Sequence, residues 1–304
     1  MKGVALRYAL AFLAGAAVAT GAGLGLRELL RDGVEGIDGV LQRVEVRAGA
    51  PGPSSSRRAG GAGDSPEGAE LLPDLDQEAP TELLVVAAGS EYRLAFDSAV
   101  SNVGRGPLVV EGERESAEAE MAALQVVERT DGTTRRYRSG SQLVYVTSPD
   151  HAHWHLLPFE RYELRRSGDF ARVAFDPKTG FCLGDRFATS LPSAVQARAA
   201  RPVFSDRCGL GDPGLTRLRE GISVGHGDDY RAVLEGQYLD ITRVPPGTYV
   251  LVHRVNAEGG LRESNAANNA ASILLRLSRP AGKPHLDVLL VCPDDERCEP
   301  DGAR

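Results

Sequence analysis

The chain has 304 residues, 35 Lys+Arg against 42 Asp+Glu for a formal charge of -7, and 42% hydrophobic residues. That apolar share can bury a core, which excludes global disorder, and the acidic balance argues against nucleic-acid binding, whose domains are normally basic. At roughly 150 residues per domain, the length holds one large domain with tails, or two small ones.

In chain order, residues 1–33 read as a targeting or anchoring segment. Lys2 and Arg7 precede nineteen uncharged residues, Tyr8 to Leu26, followed by Arg27. Basic residues, an apolar stretch and Ala17-Val18-Ala19 fit a secretory signal peptide with an A-x-A-like cleavage site. The stretch reads as a hydrophobic helix and is also near the roughly 20 residues that span a bilayer. Signal peptide and membrane anchor over residues 8–26 are the two readings. Both put the rest of the chain outside the cytoplasm. Residues 34–70 read as a marginal helix, begun at 28–47, and a linker. The 48–70 stretch is rich in Gly, Pro, Ser and Ala with no large apolar residue, so it cannot repay its ordering entropy. The folded domain is expected over 71–291, with a short disulfide-closed tail over 292–304.

Strand signals dominate the domain. Leu83–Ala88, Tyr92–Phe96, Leu108–Glu111, Gln125–Arg129, Gln142–Val146, Ala171–Phe175, Tyr238–Ile241, Thr248–Asn256 and Ala271–Ser278 are short and rich in Val, Leu, Ile or Tyr. Most are bounded by Gly, Pro, Asp or Asn. Thr130-Asp131-Gly132-Thr133 is a hairpin turn, and Glu113–Leu124 has the character of a short helix. The pattern predicts an antiparallel β-sandwich. Its two long loops, Gly184–Gly221 and Ser223–Gly236, are of the kind that carries function.

Three of the six histidines fall within five residues: His151, His153 and His155. Strand alternation puts them on one face and Ala152 and Trp154 on the other. Successive imidazoles are then about 7 Å apart and close on one metal if the strand bends. Imidazole suits Zn, Cu, Fe and Ni, so the spacing alone does not choose the metal.

His151-x-His153-x-His155, followed by Phe159 and Tyr162-x-Leu164, resembles the copper-binding segment of the lysyl oxidases. The likeness continues with Lys178-Thr179-Gly180-Phe181-Cys182-Leu183-x-Asp185, then Gly221-Ile222-Ser223-x-Gly225, Asp228-x-Tyr230 and Gln237-x-x-Asp240-Ile241-Thr242. Pro246-Gly247-x-Tyr249, Val255-Asn256 and Glu263-Ser264-x-x-x-Asn268-Asn269 complete it, and Leu72-Pro73-Asp74-Leu75 matches near the start. The resemblance implies a copper amine oxidase that uses O₂ to turn primary amines or peptidyl lysine into aldehydes, releasing ammonia and hydrogen peroxide. By motif position Lys178 and Tyr230 become its lysine tyrosylquinone. The chemistry needs a base within reach of the α-proton, and Asp228, Asp229 and His226 are the candidates. The resemblance also implies a calcium site from Asp74, the Leu75 carbonyl, Glu263, Asn265, Asn268 and Asn269, hard oxygen donors of the kind calcium takes. Asn265 stands where the family usually has Asp, which removes one charge.

The four cysteines pair naturally as Cys182–Cys208 and Cys292–Cys298, although four allow three connectivities. An extracytoplasmic location permits disulfides. Animal lysyl oxidases have cysteines where this chain has Asp150, His226 and Gly236, so the region is less cross-linked here. The alternative function is a non-catalytic copper-binding module at the cell surface, which would need the histidines but neither Lys178 nor Tyr230.

Overall fold

The computed structural model describes residues 39–46, 67–148, 151–176, 180–190, 201–234 and 236–299. The expected N-terminal hydrophobic helix, the 8–26 anchor and most of the linker lie outside these residues. No helix among the described residues is long and apolar enough to cross a membrane.

Among the described residues nineteen strands fall into four sheets, and every pairing is antiparallel. One sheet runs β1 (Val40–Glu45), β4 (Glu82–Ala88), β5 (Glu91–Phe96), β16 (Tyr238–Asp240). A second runs β10 (His151–Leu157), β9 (Thr134–Ser148), β8 (Met121–Arg129), β7 (Leu108–Glu113), β14 (Arg217–Ile222), with β2 (Glu70–Leu71) beside β8. A third runs β12 (Arg172–Phe175), β11 (Glu160–Arg166), β17 (Gly247–Val255), β18 (Ala270–Ser278), β19 (His285–Cys292). The fourth runs β13 (Phe187–Ala188), β15 (His226–Tyr230), β6 (Ser98–Asn102), β3 (Leu75–Gln77).

One cluster of buried side chains draws on all four: Leu83 and Phe96 from the first, Leu108 and Leu143 from the second, Leu164, Leu251 and Ile273 from the third, Leu75 and Val100 from the fourth. Burial of this apolar surface is the main favourable term for the fold.

The mainly antiparallel β reading holds, with three local corrections. Glu113–Leu124 is no helix: β7 runs to Glu113, a turn follows, and β8 starts at Met121. Met121 and Ala123 are buried and Ala122 is exposed, the period-two pattern of a half-buried strand. Val40–Glu45, inside the expected marginal helix, is an edge strand on β4 with alternating burial. Its Gln42 amide exchanges hydrogen bonds with the Leu286 backbone at 2.7 and 2.8 Å. The two long loops also contain strands, β13 and β14 in the first and β15 in the second, so Tyr230 ends a strand and does not lie in a loop. The tail folds back: the Cys292–Cys298 disulfide carries Cys298 to complete burial against Val250, Val252 and Leu274.

Candidate functional site

β10 is an edge strand held in register on β9 from His151↔Ser148 to Leu157↔Gln142. Its alternation separates two environments. Trp154 turns away from the histidines, packs edge-on against Tyr145 at 5.5 Å and donates its indole N–H to the Asp212 carbonyl at 3.0 Å. His155 is fully buried. The Nε2 atoms of His153 and His155 converge to 2.8 Å. The side chain of His151 lies outside the described atoms. Among the described residues no group of three or more His, Cys, Asp or Glu side chains is arranged to hold a metal. The two placed imidazoles bring their Nε2 atoms together, and imidazole nitrogen is a donor that copper takes.

Tyr230 meets this pair from β15. Its phenol oxygen lies 3.5 Å from His155 Nε2 and accepts a hydrogen bond from the Cys182 amide at 2.9 Å. Its ring packs on Phe181, centroid to centroid 4.0 Å. Burial and the nearby Asp228 carboxylate push its phenol well above the usual range, so it is held neutral.

The segment that supplies Phe181 and Cys182 is stitched to β10. Leu156 and Phe181 exchange backbone hydrogen bonds of 2.8 and 3.3 Å. Gly180 rests on the histidine strand: a Cβ there would fall 3.1 Å from the His155 Cβ and 2.6 Å from a Leu157 methyl. Lys178, with Pro177 and Thr179, lies outside the described residues, two positions before this glycine. The Cys182–Cys208 disulfide closes the same region, and the Cys208 carbonyl accepts the Trp154 amide at 2.9 Å.

Of the candidate bases, strand alternation separates Asp228 from Asp229. Asp228 pairs opposite Val100 and Tyr230 opposite Ser98, so the two share one face of β15. Asp229 projects to the other face. Asp228 is fully buried, accepts the Gly184 amide at 3.2 Å and the Asp229 amide at 3.0 Å, and lies 3.6 Å from Arg186 Nε. Burial raises its carboxyl well above the usual range, against the pull of Arg186. His226 shares the Asp228 face and is 4% exposed. Sequence reading missed Arg186 and Glu220. Glu220 had a signal: in Leu218-x-Glu220-x-Ile222 an acid occupies an inward strand position.

The calcium candidates form two neighbouring groups, one on Glu263 and one on Asp74. Its Oε1 accepts from Asn256 and Asn269, both at 2.6 Å, and its Oε2 from the Leu75 amide at 3.2 Å. Asn268 donates to Asp74 Oδ1 at 2.9 Å and accepts from Asn265 at 2.8 Å. Burial raises the carboxyls of Asp74 and Glu263.

Residues 125–281 match the sequence model of the family described as lysyl oxidase. This chain belongs to the lysyl oxidase family. The matched stretch contains the three histidines, Lys178, Tyr230 and Glu263 to Asn269, and leaves out Asp74 and the last disulfide. Lysyl oxidase homolog 4 of Mus musculus is 34% identical over 120 residues, 39% of this chain and 14% of that protein. Protein-lysine 6-oxidase of Sus scrofa is 32% identical over 127 residues, 41% of this chain and 44% of that protein. Lysyl oxidase homolog 3B of Danio rerio is 33% identical over 121 residues, 40% of this chain and 13% of that protein. The chain therefore spans less than half the length of these relatives.

Proposed function

We propose that this lysyl oxidase family member is a copper-dependent amine oxidase acting on primary amines, with peptidyl lysine or small amines as substrate. The observation that carries the reading is the meeting of Tyr230 with the histidine strand: its phenol 3.5 Å from His155 Nε2, and that nitrogen 2.8 Å from His153 Nε2. His151, His153 and His155 would hold copper, and Lys178 and Tyr230 would form the lysine tyrosylquinone. When bound, copper with O₂ supplies the oxidation of the tyrosine, and the quinone supplies the electrophile that accepts the amine. The chain's own groups do the rest. Phe181 fixes the plane of the tyrosine ring and the Cys182 amide fixes its oxygen. Asp228, on the Tyr230 face, takes the α-proton. The aldehyde, ammonia and hydrogen peroxide follow from that reaction class. An extracytoplasmic location fits the two disulfides.

The test is direct. Copper-loaded, aerated protein is expected to gain a phenylhydrazine-reactive chromophore, release peroxide with primary amines, and yield a Lys178–Tyr230 cross-linked peptide in mass spectrometry. Tyr230→Phe is expected to abolish the chromophore and keep copper. Wild-type protein with bound copper and neither chromophore nor cross-link sinks the reading. Calcium at the Asp74–Glu263 cluster is the companion proposal. Chelation by EGTA is expected to lower the melting temperature of wild type by about 3 °C and leave that of Glu263→Gln unchanged.

A further inference from the structure

The segment Cys182-Leu183-Gly184-Asp185-Arg186 leads into β13 and meets β15 at every second residue. The Cys182 amide holds the Tyr230 phenol at 2.9 Å, the Gly184 amide holds Asp228 at 3.2 Å, and the Arg186 amide donates to the Gly227 carbonyl at 2.9 Å. The Arg186 side chain then turns back over its own segment. Its Nη2 donates to the Cys182 carbonyl at 3.4 Å and lies 3.2 Å from the Cys182 sulfur, and its Nε lies 3.6 Å from Asp228 Oδ1. Gly184 leaves the room for this return. A Cβ there would fall 2.6 Å from the guanidinium carbon and 2.8 Å from Nε and Nη2.

Asp228 needs such a partner. It is fully buried, and burial favours the neutral acid. The adjacent Asp229 carboxylate works in the same direction. A base has to be ionised to take a proton, and it has to sit within hydrogen-bond reach of that proton. Two amides, of Gly184 and Asp229, favour the charged form. Among the described residues Arg186 is the one cation ion-paired with Asp228. Its side chain is 29% exposed, so its own charge is only partly desolvated. The same guanidinium touches both clamps of the site: the residue whose amide fixes the Tyr230 oxygen, and the acid on the Tyr230 face of β15.

We propose that Arg186 is a positioning residue: its guanidinium, folded back over Gly184, holds the Asp228 carboxylate and the Cys182 carbonyl in one geometry and so aims the base at the place where Tyr230 is held. The effect on the base rests on the amine oxidase reading; the Arg186–Asp228 pair does not.

Two readouts on the full chain test it. The first is a double-mutant cycle and needs no catalysis. Arg186→Met keeps the aliphatic stem and removes the charge. At pH 8 it is expected to lower the melting temperature by about 3 °C, and by less than about 1 °C when Asp228→Asn is already present. If Asp228→Asn fails to fold, Arg186→Lys decides: it is expected to stay within about 1 °C of wild type. The second readout is kcat for peroxide release by copper-loaded enzyme, per quinone titrated with phenylhydrazine. Arg186→Met is expected to lower it at least about tenfold, with KM for the amine within about twofold of wild type. Arg186→Lys is expected to recover it to within about threefold. Gly184→Ala keeps the amide and the charge but displaces the guanidinium, and is expected to lower kcat by a similar factor. Equal melting losses with and without Asp228, or equal losses in the Met and Lys variants, overturn the pair. A coupled pair with kcat unchanged in Arg186→Met, or wild-type kcat in Gly184→Ala, overturns the positioning role. An Arg186→Met variant that forms no quinone places the residue in cofactor formation and overturns its assignment to the base. Wild type without quinone sinks the oxidase reading and the aiming of a base with it, while the melting cycle still decides the pair.

Discussion

Asp185 is buried beside the segment that holds the Tyr230 phenol, and the backbone satisfies its carboxylate. Asp185 collects four donors and ties residues 203–204 to Ser223. Hydrogen bonds to a charged group are the strong ones, and stranding their buried partners costs more than the bonds themselves contribute. Asp185→Ala is therefore expected to lose about 3 kcal/mol in urea unfolding; a loss below about 1 kcal/mol would show that water replaces the carboxylate. Asp185 was legible as part of a motif, but its role was not, because its donors lie 18 to 38 residues away. The histidine alternation was legible from local geometry alone. The approach of Tyr230 to His155 spans 75 residues, and only the resemblance joined the two in advance.

Among the elements, β15 shows where strand reading from sequence fails. His226-Gly227-Asp228-Asp229-Tyr230 has almost no apolar content and reads as a loop. It is a strand because β6 offers a ladder from Ser98 to Ser101 and because Gly227 lies under Phe187, where a Cβ would come within 2.3 Å of the ring. β6, Ser98-Ala99-Val100-Ser101-Asn102, is largely polar too and gave no strand signal; tertiary pairing overrides local propensity in both. The Cys182–Cys208 disulfide then ties two strands functionally, since Cys182 bonds Tyr230 and Cys208 bonds the amide between His153 and His155. Closing a loop of 26 residues is worth about 3 kcal/mol in the chain-entropy account. The double variant Cys182→Ser/Cys208→Ser is expected to lose about that much stability. It should also bind copper at least about tenfold more weakly in competition with a chelator, as supporting contacts of metal ligands do when removed. Full stability loss with unchanged copper affinity would confine the disulfide to a structural role.

At the scale of the whole molecule, the core carries a polar patch that the apolar strand pattern gave no reason to expect. Glu160 is 1% exposed and accepts the Ser98 hydroxyl at 2.9 Å, while its other oxygen has no partner among the described residues. His253, fully buried, packs tilted against Phe96 at 4.7 Å and edge-on against Tyr162 at 4.9 Å. Burial pushes His253 down to about 3, so it stays neutral and offers Glu160 no counter-charge. Burial pushes Glu160 up to about 7, against the pull of the neighbouring Tyr162 and Ser98 hydroxyls. The signs differ. Glu160 stabilises the fold fully below its ordinary value of 4.5, and that contribution is lost as pH rises through about 7. His253 contributes above its ordinary 6.5, and that part is lost as pH falls through about 3. Other raised acids share the Glu160 slope, among them Asp76 at about 7 and Asp97 at about 6, so the raw melting curve does not isolate one group. The difference between Glu160→Gln and wild type does. It is expected to lie near zero below the ordinary value of 4.5, to rise with pH, and to level off above about 7, with the variant melting higher by on the order of 5 °C. A difference that stays flat from acid to pH 8 would mean that Glu160 ionises as an exposed glutamate does, and that the patch admits enough water to solvate it.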